Sequence, residues 1–344
     1  MQIEMAVIGA GYWGPNLIRN FASLPDCRLK LVCDKDERAR SAIAAKVRVN
    51  TTPTLTDILD DEDIRAVAIA TPASTHFAIA RECLLRGKHV LVEKPFVLDI
   101  GQGEELLALA EQRGLVLLVD HIFLFSPAVR KLAEIIASGR LGHIRYIRSV
   151  RTSLGPRVCE DTNIVYDAQI HDVYLIQHLL NRPATAASAS GSAFLRKGIE
   201  DVVFTTLSFP GGTIANCHNT SYAPVKERKM IIVGDRAMCI YDDMCSEAPL
   251  QIYDCGFEPA DGVDALGNRG LRLFDQGKRV EPTEKAEPLR VECSHFIECV
   301  RSGLAPLSGG REALDVMRTL GAIDAALKSG TTSVIDAASF ASAY

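Results

Sequence analysis

Six residues, Gly9-Ala10-Gly11-Tyr12-Trp13-Gly14, constrain this chain more than any other segment. They follow Glu4–Ile8, an apolar run that reads as a β-strand, and they open a helical pattern over Gly14–Ser23. In that setting G-x-G-x-x-G serves three demands that only glycine meets together. These are a tight turn, a close approach of backbone to a pyrophosphate, and tight packing of helix on strand. The helix start adds free N–H groups and the positive end of its dipole. Asp34 stands twenty positions past Gly14, where a second strand ends. A carboxylate there accepts both hydroxyls of an adenosine ribose and repels a 2′-phosphate, so the pattern implies NAD in preference to NADP. Lys35 and Arg38 follow closely and soften that preference. A strand-end aspartate that merely caps the next helix would look the same.

The rest of the first third keeps the rhythm that such a turn requires. Strand-like runs at Leu29–Cys33, Ala66–Ala70, His89–Val92 and Val116–Val119 alternate with helical patterns near Thr75–Arg86 and Ile100–Gln112. Val67 to Ala70 is apolar at every position, as in parallel strands covered on both faces. Residues 1–122 are therefore expected to form an NAD(P)-binding Rossmann domain, a doubly wound parallel α/β sheet.

Beyond residue 122 the pattern changes. A helix at Pro127–Ser138 leads into alternating segments at Ile144–Val150, Thr185–Ser192, Val202–Phe209, Thr213–Asn219, Lys229–Val233 and Ala237–Tyr241. Pro210-Gly211-Gly212 and Gly234-Asp235 punctuate them, which predicts an antiparallel sheet. One helix, Ile170–Leu180, interrupts it, and Arg290–Ser302 and Gly310–Lys328 close the chain. Gly256–Pro288, rich in Gly, Pro and charge, reads as a long loop. Residues 123–344 are expected to be an α+β substrate-binding and oligomerisation domain with an open-faced sheet.

Composition narrows the function classes. A formal net charge of −5 with scattered Lys and Arg argues against a nucleic-acid partner. No apolar window is long enough for a membrane span. The ten cysteines are dispersed without CxxC pairs, so reduced thiols in a cytoplasmic protein are expected and no metal site is.

Further candidate residues fall where strands of such a sheet end. Thr71 and Pro72 close one strand and His76 opens the next helix, a position beside a bound cofactor. A proline-terminated strand with Ser74 as helix cap fits the same letters. Glu93-Lys94-Pro95 follows another strand. The residue before proline is held extended, and an ammonium at that edge can hydrogen-bond a carbonyl that is becoming an alkoxide. Asp167 and His171 stand four apart, on one face if helical. Histidine suits proton transfer, and a carboxylate beside it supports its charged form. A helix start capped by Asp167 with a surface histidine is the plainer alternative. Tyr174 and His178 continue that face, whereas His89, His143 and His218 lack such company.

Together Gly9 to Gly14, Thr71-Pro72 with His76, Glu93-Lys94-Pro95 and Asp167 through His171 resemble the glucose–fructose oxidoreductase / inositol dehydrogenase / MocA family over essentially the whole chain. The resemblance implies hydride transfer between nicotinamide and a secondary alcohol of a sugar, sugar nucleotide or cyclitol. It implies His171 as general acid/base, Lys94 as the group that polarises the reacting oxygen, and Asp167 in substrate binding or proton relay. Lys94 and His171 are expected to converge on the nicotinamide. It also implies a homo-oligomer, dimer or tetramer, assembled through the C-terminal sheet. The strings GYWGPNLIRNF, HIFLFSPAVRKL and SVRTSLG resemble the branch that oxidises the 3-hydroxyl of UDP-N-acetylglucosamine-type sugars, which would turn His121, Arg151 and the Thr152–Arg157 loop toward substrate. The chain departs from many relatives at Asp120, Tyr166 and Ala168-Gln169-Ile170. Asp120 fits either an altered substrate or a buried hydrogen-bonding role. Alternatives on the same scaffold are an inositol or free-aldose dehydrogenase, a catalytically silent dinucleotide-binding regulator, and an NAD-dependent glycosidase.

Overall fold

Parallel strands buried on both faces need helices over each face, and the first part of the chain supplies them in strict alternation. The computed structural model describes residues 2–155, 162–263, 267 and 269–335. The order is β1 (Ile3–Ile8), α1 (Gly14–Ser23), β2 (Cys27–Cys33), α2 (Glu37–Ala44), β3 (Asn50–Thr52), α3 (Thr56–Leu59), β4 (Ala66–Ile69), α4 (His76–Leu85), β5 (His89–Val92), α5 (Ile100–Arg113) and β6 (Leu117–Val119). All pair in parallel, in the order β3-β2-β1-β4-β5-β6. The order reverses between β1 and β4, which opens a crevice at the carboxyl edge of the sheet. β4 is buried at each of its four positions and sits at the centre. α1 turns Leu17, Ile18 and Phe21 fully inward. α5 begins at Asp99, whose carboxylate accepts the Gln102 N–H, and ends at Gly114 in the left-handed region. The short elements α2, β3 and α3 escape sequence pattern because each has at most two buried side chains; α2 buries Ile43 alone.

The second part is built on one nine-stranded sheet. After α6 (Pro127–Ala137) come β7 (Ile144–Leu154), α7 (Ile170–Leu180), β8 (Ala186–Ser192), β9 (Val202–Ser208), β10 (Ile214–Thr220), β11 (Tyr222–Gly234), β12 (Met238–Asp242), β13 (Leu250–Val263) and β14 (Arg269–Val280). Neighbours pair antiparallel except β7 with β10. α6 and α7 pack on each other and on strands β12 and β7, over the side chains of Ile147, Leu207, Cys217 and Ile232. The opposite face leaves Tyr146, Phe204 and Ile214 about half exposed.

Gly256–Pro288 is not the long loop its composition suggests. Most of it is β13 and β14, two long strands of a hairpin. Phe257, Leu271 and Leu273 remain exposed, so beyond Leu250 and Ile252, which are fully buried at the start of β13, this hairpin reaches solvent broadly. Cross-strand ion pairs, Arg272 with Glu258 and Arg279 with Asp254, give it the charged look of a loop.

The chain closes with α8 (Pro288–Ser302), α9 (Gly310–Ser329) and β15 (Ser333–Val334), the last paired with β8. The two compact units are the chain up to Ser126 together with Ala286–Met317, and Pro127–Lys285 together with the chain from Arg318. The expected boundary, with everything from 123 onward in one domain, therefore fails for α8. Its stripe of Leu289, Cys293, Phe296 and Ile297 is buried in the same core as α1 and β1, and Phe296 meets Phe21 edge-on at 6.3 Å.

Candidate active site

The glycine turn follows β1 and is fixed by its neighbours. Gly9 takes a φ of +99°, and a side chain there would meet the Ala70 carbonyl at 2.6 Å. A side chain on Gly14 would stand 2.1 Å from the Gly9 carbonyl oxygen. Gly11 is different: nothing lies within 4 Å of where its Cβ would be. That open space lies beside the start of α1, which no side chain caps. Pro15 has no N–H and the Asn16 N–H donates to the Trp13 carbonyl, so the vacant glycine surface at the positive end of the helix dipole is what fits these residues to a dinucleotide diphosphate. Tyr12 is 88% exposed at the rim. Asp34 sits as expected at the end of β2, and its carboxylate accepts the Ala10 N–H at 2.6 Å and the Asp36 N–H at 2.8 Å. It braces the turn, and each oxygen keeps lone pairs for further donors.

β4 and β5 end on the same edge. Thr71 and Pro72 follow β4, and the buried His76 ring spans from the Thr71 carbonyl to the Pro95 carbonyl, 2.9 Å from each. It is a strut between two edge loops, reaching the cofactor region through them. Lys94 precedes a cis Pro95 and is half-buried. Its backbone N–H donates to the Glu93 carboxyl at 2.9 Å. Burial first, and then neighbouring Asp120, push the Glu93 carboxyl well above its ordinary value. His121 follows β6 and is buried; burial and the Lys94 charge press its imidazole down to about 3, so it is neutral near pH 7. Trp13 donates its indole N–H to Asp120 at 3.0 Å.

In the second unit, Asp167 lies in one wide π-helical turn, Val165–Gln169, directly before α7. The simple i to i+4 helix expected for Asp167 and His171 is thus interrupted. Gln169 is the reason on the structural side: its amide exchanges hydrogen bonds with Thr205 of β9 at 2.9 and 3.2 Å, which holds the turn against the sheet. His171 opens α7, buried, with its Nδ1 3.1 Å from the Tyr174 hydroxyl and the two rings edge-to-face. A hydroxyl on Nδ1 fixes the ring's orientation. Asp167 also lines a cleft with Asn163, Arg196, Glu200, Asp201 and Ser221.

Arg151, expected to face substrate, is held in a buried ion pair. Its guanidinium pairs with Asp172 at 3.2 Å, and the side chains are only 11% and 2% exposed. Asp172 also accepts from Ser149 at 3.0 Å and Asn219 at 2.5 Å, so β7, α7 and β10 are pinned at one buried carboxylate. Thr152, expected in a substrate loop, belongs to β7 and donates to the Val225 carbonyl. Pro156 and Arg157 of that loop lie outside the described residues.

Two family models match successive parts of the chain: the oxidoreductase family NAD-binding Rossmann fold matches residues 3–121, and the GFO/IDH/MocA C-terminal domain matches residues 129–240. The chain belongs to the Gfo/Idh/MocA oxidoreductase family. It is therefore an oxidoreductase built to act on CH–OH groups with a nicotinamide cofactor. It is 28% identical over 300 residues to UDP-N-acetylglucosamine 3-dehydrogenase of Acidithiobacillus ferrooxidans, covering 87% of this chain and 89% of that one. A solved structure of that enzyme superposes with a TM-score of 0.81 at 25% identity, over 96% of this chain and 98% of its own. The scyllo-inositol 2-dehydrogenase (NAD(+)) of Bacillus subtilis is 24% identical over 89% of this chain and 88% of its own. GenD2 from gentamicin A biosynthesis, solved in complex with NAD, shares the fold at a TM-score of 0.82 and 24% identity, over 98% of this chain and 97% of its own.

Gly9, Gly11, Tyr12, Trp13, Gly14, Asp34, Thr71, Pro72, Glu93, Lys94 and His121 all follow the carboxyl ends of parallel strands in the first unit, and His76 is tied to two of those loops. Asp167, His171 and Tyr174 gather at the head of α7 in the second. Sequence reasoning missed Asp172, Asn163 and Glu292. Glu292 had a usable signal, a lone acid on the stripe Leu289, Cys293, Phe296 of an otherwise apolar helix face. Asp172 and Asn219 had none, because their meeting depends on strand pairing. No helix among the described residues is long and apolar enough to cross a membrane.

Proposed function

We propose that this oxidoreductase transfers hydride between NAD and a secondary alcohol of a sugar or sugar nucleotide, at the C3 hydroxyl or ketone. The observation that carries the reading is Lys94, half-buried after β5 on the strand-end edge that also holds the glycine cradle. A bound nicotinamide supplies the hydride acceptor or donor. Lys94 hydrogen-bonds the reacting oxygen and stabilises its charge as it passes between alcohol and carbonyl. His171, oriented through Nδ1 by Tyr174, takes or gives the alcohol proton. Asp167 binds substrate hydroxyls or relays that proton. Preference for NAD over NADP rests on Asp34, and the 3-hydroxyl assignment on the likeness to UDP-N-acetylglucosamine 3-dehydrogenase.

One observation favours a second reading. The cleft beside Asp167 carries Glu200 and Asp201 against Arg196, a lining better matched to the hydroxyls of inositol or a free aldose than to a diphosphate. Purified protein incubated with NAD and, in turn, UDP-N-acetylglucosamine, UDP-glucose, myo-inositol and glucose decides between them through the absorbance of reduced nicotinamide. Silence with every one of these substrates would reject both.

We further propose a homo-oligomer, dimer or tetramer, joined through the outer face of the β7–β11 sheet. Tyr146 and Ile214 pair across neighbouring strands there, with Phe204 nearby, each left about half exposed. A cytoplasmic location accords with the nine described cysteines, all free thiols.

A further inference from the structure

Three carboxyl groups meet at the strand-end edge of the first unit, and the hydride-transfer scheme uses none of them as an acid or base. Asp120 follows β6, Glu93 follows β5, and Glu292 comes from the second turn of α8. They are 2%, 8% and 0% exposed. Glu93 and Glu292 both lie against Asp120. Three negative charges at contact distance in a dry interior do not coexist, so protons must be shared among them.

Hydrogen bonding decides where the remaining charge sits. The Trp13 indole is a donor only, and its partner is Asp120 Oδ2 at 3.0 Å. Glu93 already accepts the Lys94 N–H with Oε2, so it can add a hydrogen bond to an ionised Asp120 only as a neutral acid with a proton to give. Glu292 is fully buried, and the groups that face its carboxyl are Asp120 and the His121 backbone, neither of them a cation, so a second negative charge there is costly. One negative charge on Asp120, flanked by two neutral glutamic acids, meets all three conditions. Burial and the Asp120 charge raise both glutamates accordingly. The other groups facing the trio are Lys94 from the end of β5, His121 from the end of β6, and the Cys293 thiol of α8, which burial keeps protonated; the glycine turn before α1 contributes the uncharged Trp13.

We propose that Asp120 is a positioning residue of the dinucleotide turn: as the ionised member of this trio it holds Trp13, and it ties the seat of the turn to the protons on Glu93 and Glu292. Only the consequence for cofactor binding rests on the NAD reading above; the trio itself can be examined without a dinucleotide.

Trp13 is the only tryptophan of the chain, so its emission reports its hydrogen-bond partner directly. The purified protein is titrated from about pH 4.5 to about 9 while Trp emission and far-UV circular dichroism are followed. A reversible emission change at constant dichroism is expected, with its midpoint at least about one unit above the ordinary glutamate value of about 4.3. Asp120→Asn removes the charge that raises the glutamates, so the midpoint falls by about one unit or leaves the range, while its amide oxygen still accepts the indole N–H. Asp120→Ala loses that acceptor, and NAD titrated calorimetrically should bind about tenfold more weakly, against a change within about twofold for Asp120→Asn. A flat emission profile, or one midpoint common to the native chain and Asp120→Asn, overturns the shared protons. Native NAD affinity in Asp120→Ala overturns the positioning role. If the emission titrates as described but no variant, and not the native chain either, binds NAD, the dinucleotide reading fails and the carboxyl trio stands.

Discussion

Replacing Gly11 and Gly14 by alanine, one at a time, separates two duties that the glycine turn performs at once. At Gly14 the added methyl would stand 2.1 Å from the Gly9 carbonyl oxygen, where ordinary contact begins at 3.4 Å. The start of α1 must then withdraw by about 1.3 Å, the difference between those distances. That helix carries Leu17, Ile18 and Phe21 fully buried, so withdrawal loosens the core beneath it. Strain of this kind costs about 1–3 kcal/mol. In a unit of this size that lowers Tm by about 2–12 °C. At Gly11 the methyl meets nothing within 4 Å, and stability should stay within about 0.5 kcal/mol of the native chain. It does, however, occupy the surface that a pyrophosphate would use. NAD affinity should fall at least about tenfold, or about 1.4 kcal/mol. Thermal melts by circular dichroism and calorimetric titration with NAD read both quantities on both variants. A Gly11→Ala protein that binds NAD normally, or a Gly14→Ala protein that melts with the native one, refutes the division of labour.

Other consequences follow from the same site. Lys94→Ala should slow hydride transfer by about two to three orders of magnitude while leaving the Kd for NAD nearly intact, measured by single-turnover absorbance and calorimetry. Tyr174→Phe removes the hydroxyl that orients His171 and should cost about fivefold in kcat, whereas His171→Ala should cost about a hundredfold or more. Asp34→Ala should raise the Kd for NAD more than that for NADP; an unchanged ratio would discredit the ribose assignment. The pH dependence of folding should show His89. Its Nδ1 accepts the Val116 N–H, and burial lowers the imidazole to about 4. The unfolded ring titrates near 6.5, so the folded state binds fewer protons below that pH. Stability is full above about pH 6.5 and is lost as pH falls toward about 4, by an amount of order 3 kcal/mol. Urea melts of His89→Gln should lose much of that slope.

The first unit was legible in the sequence wherever a strand was apolar along nearly its whole length. Ala66–Ile69 is apolar at every position and His89–Val92 at all but its first, and both are buried throughout, as a central parallel strand requires. The same logic hid α2, β3 and α3, each of which offers at most two buried side chains and so no run long enough to read. The β13–β14 hairpin was illegible for the opposite reason: its strands are stabilised by pairing and cross-strand charge, which composition reads as loop. Among the site residues, glycine spacing announced the cradle because its demands are local. The partner of Arg151 was not legible, because sequence order says nothing of Asp172, which reaches it from α7 only once strand β7 is paired.

The return of Ala286–Met317 to the first unit sets how the protein can be cut. A chain truncated near residue 126 would keep the whole parallel sheet yet strip Phe296 of α8 from Phe21, opening the core they share to water. It should precipitate or melt early. An autonomous nucleotide module would need the two sequence blocks spliced, so in genetic terms the main block of the second unit is an insert carried within the first.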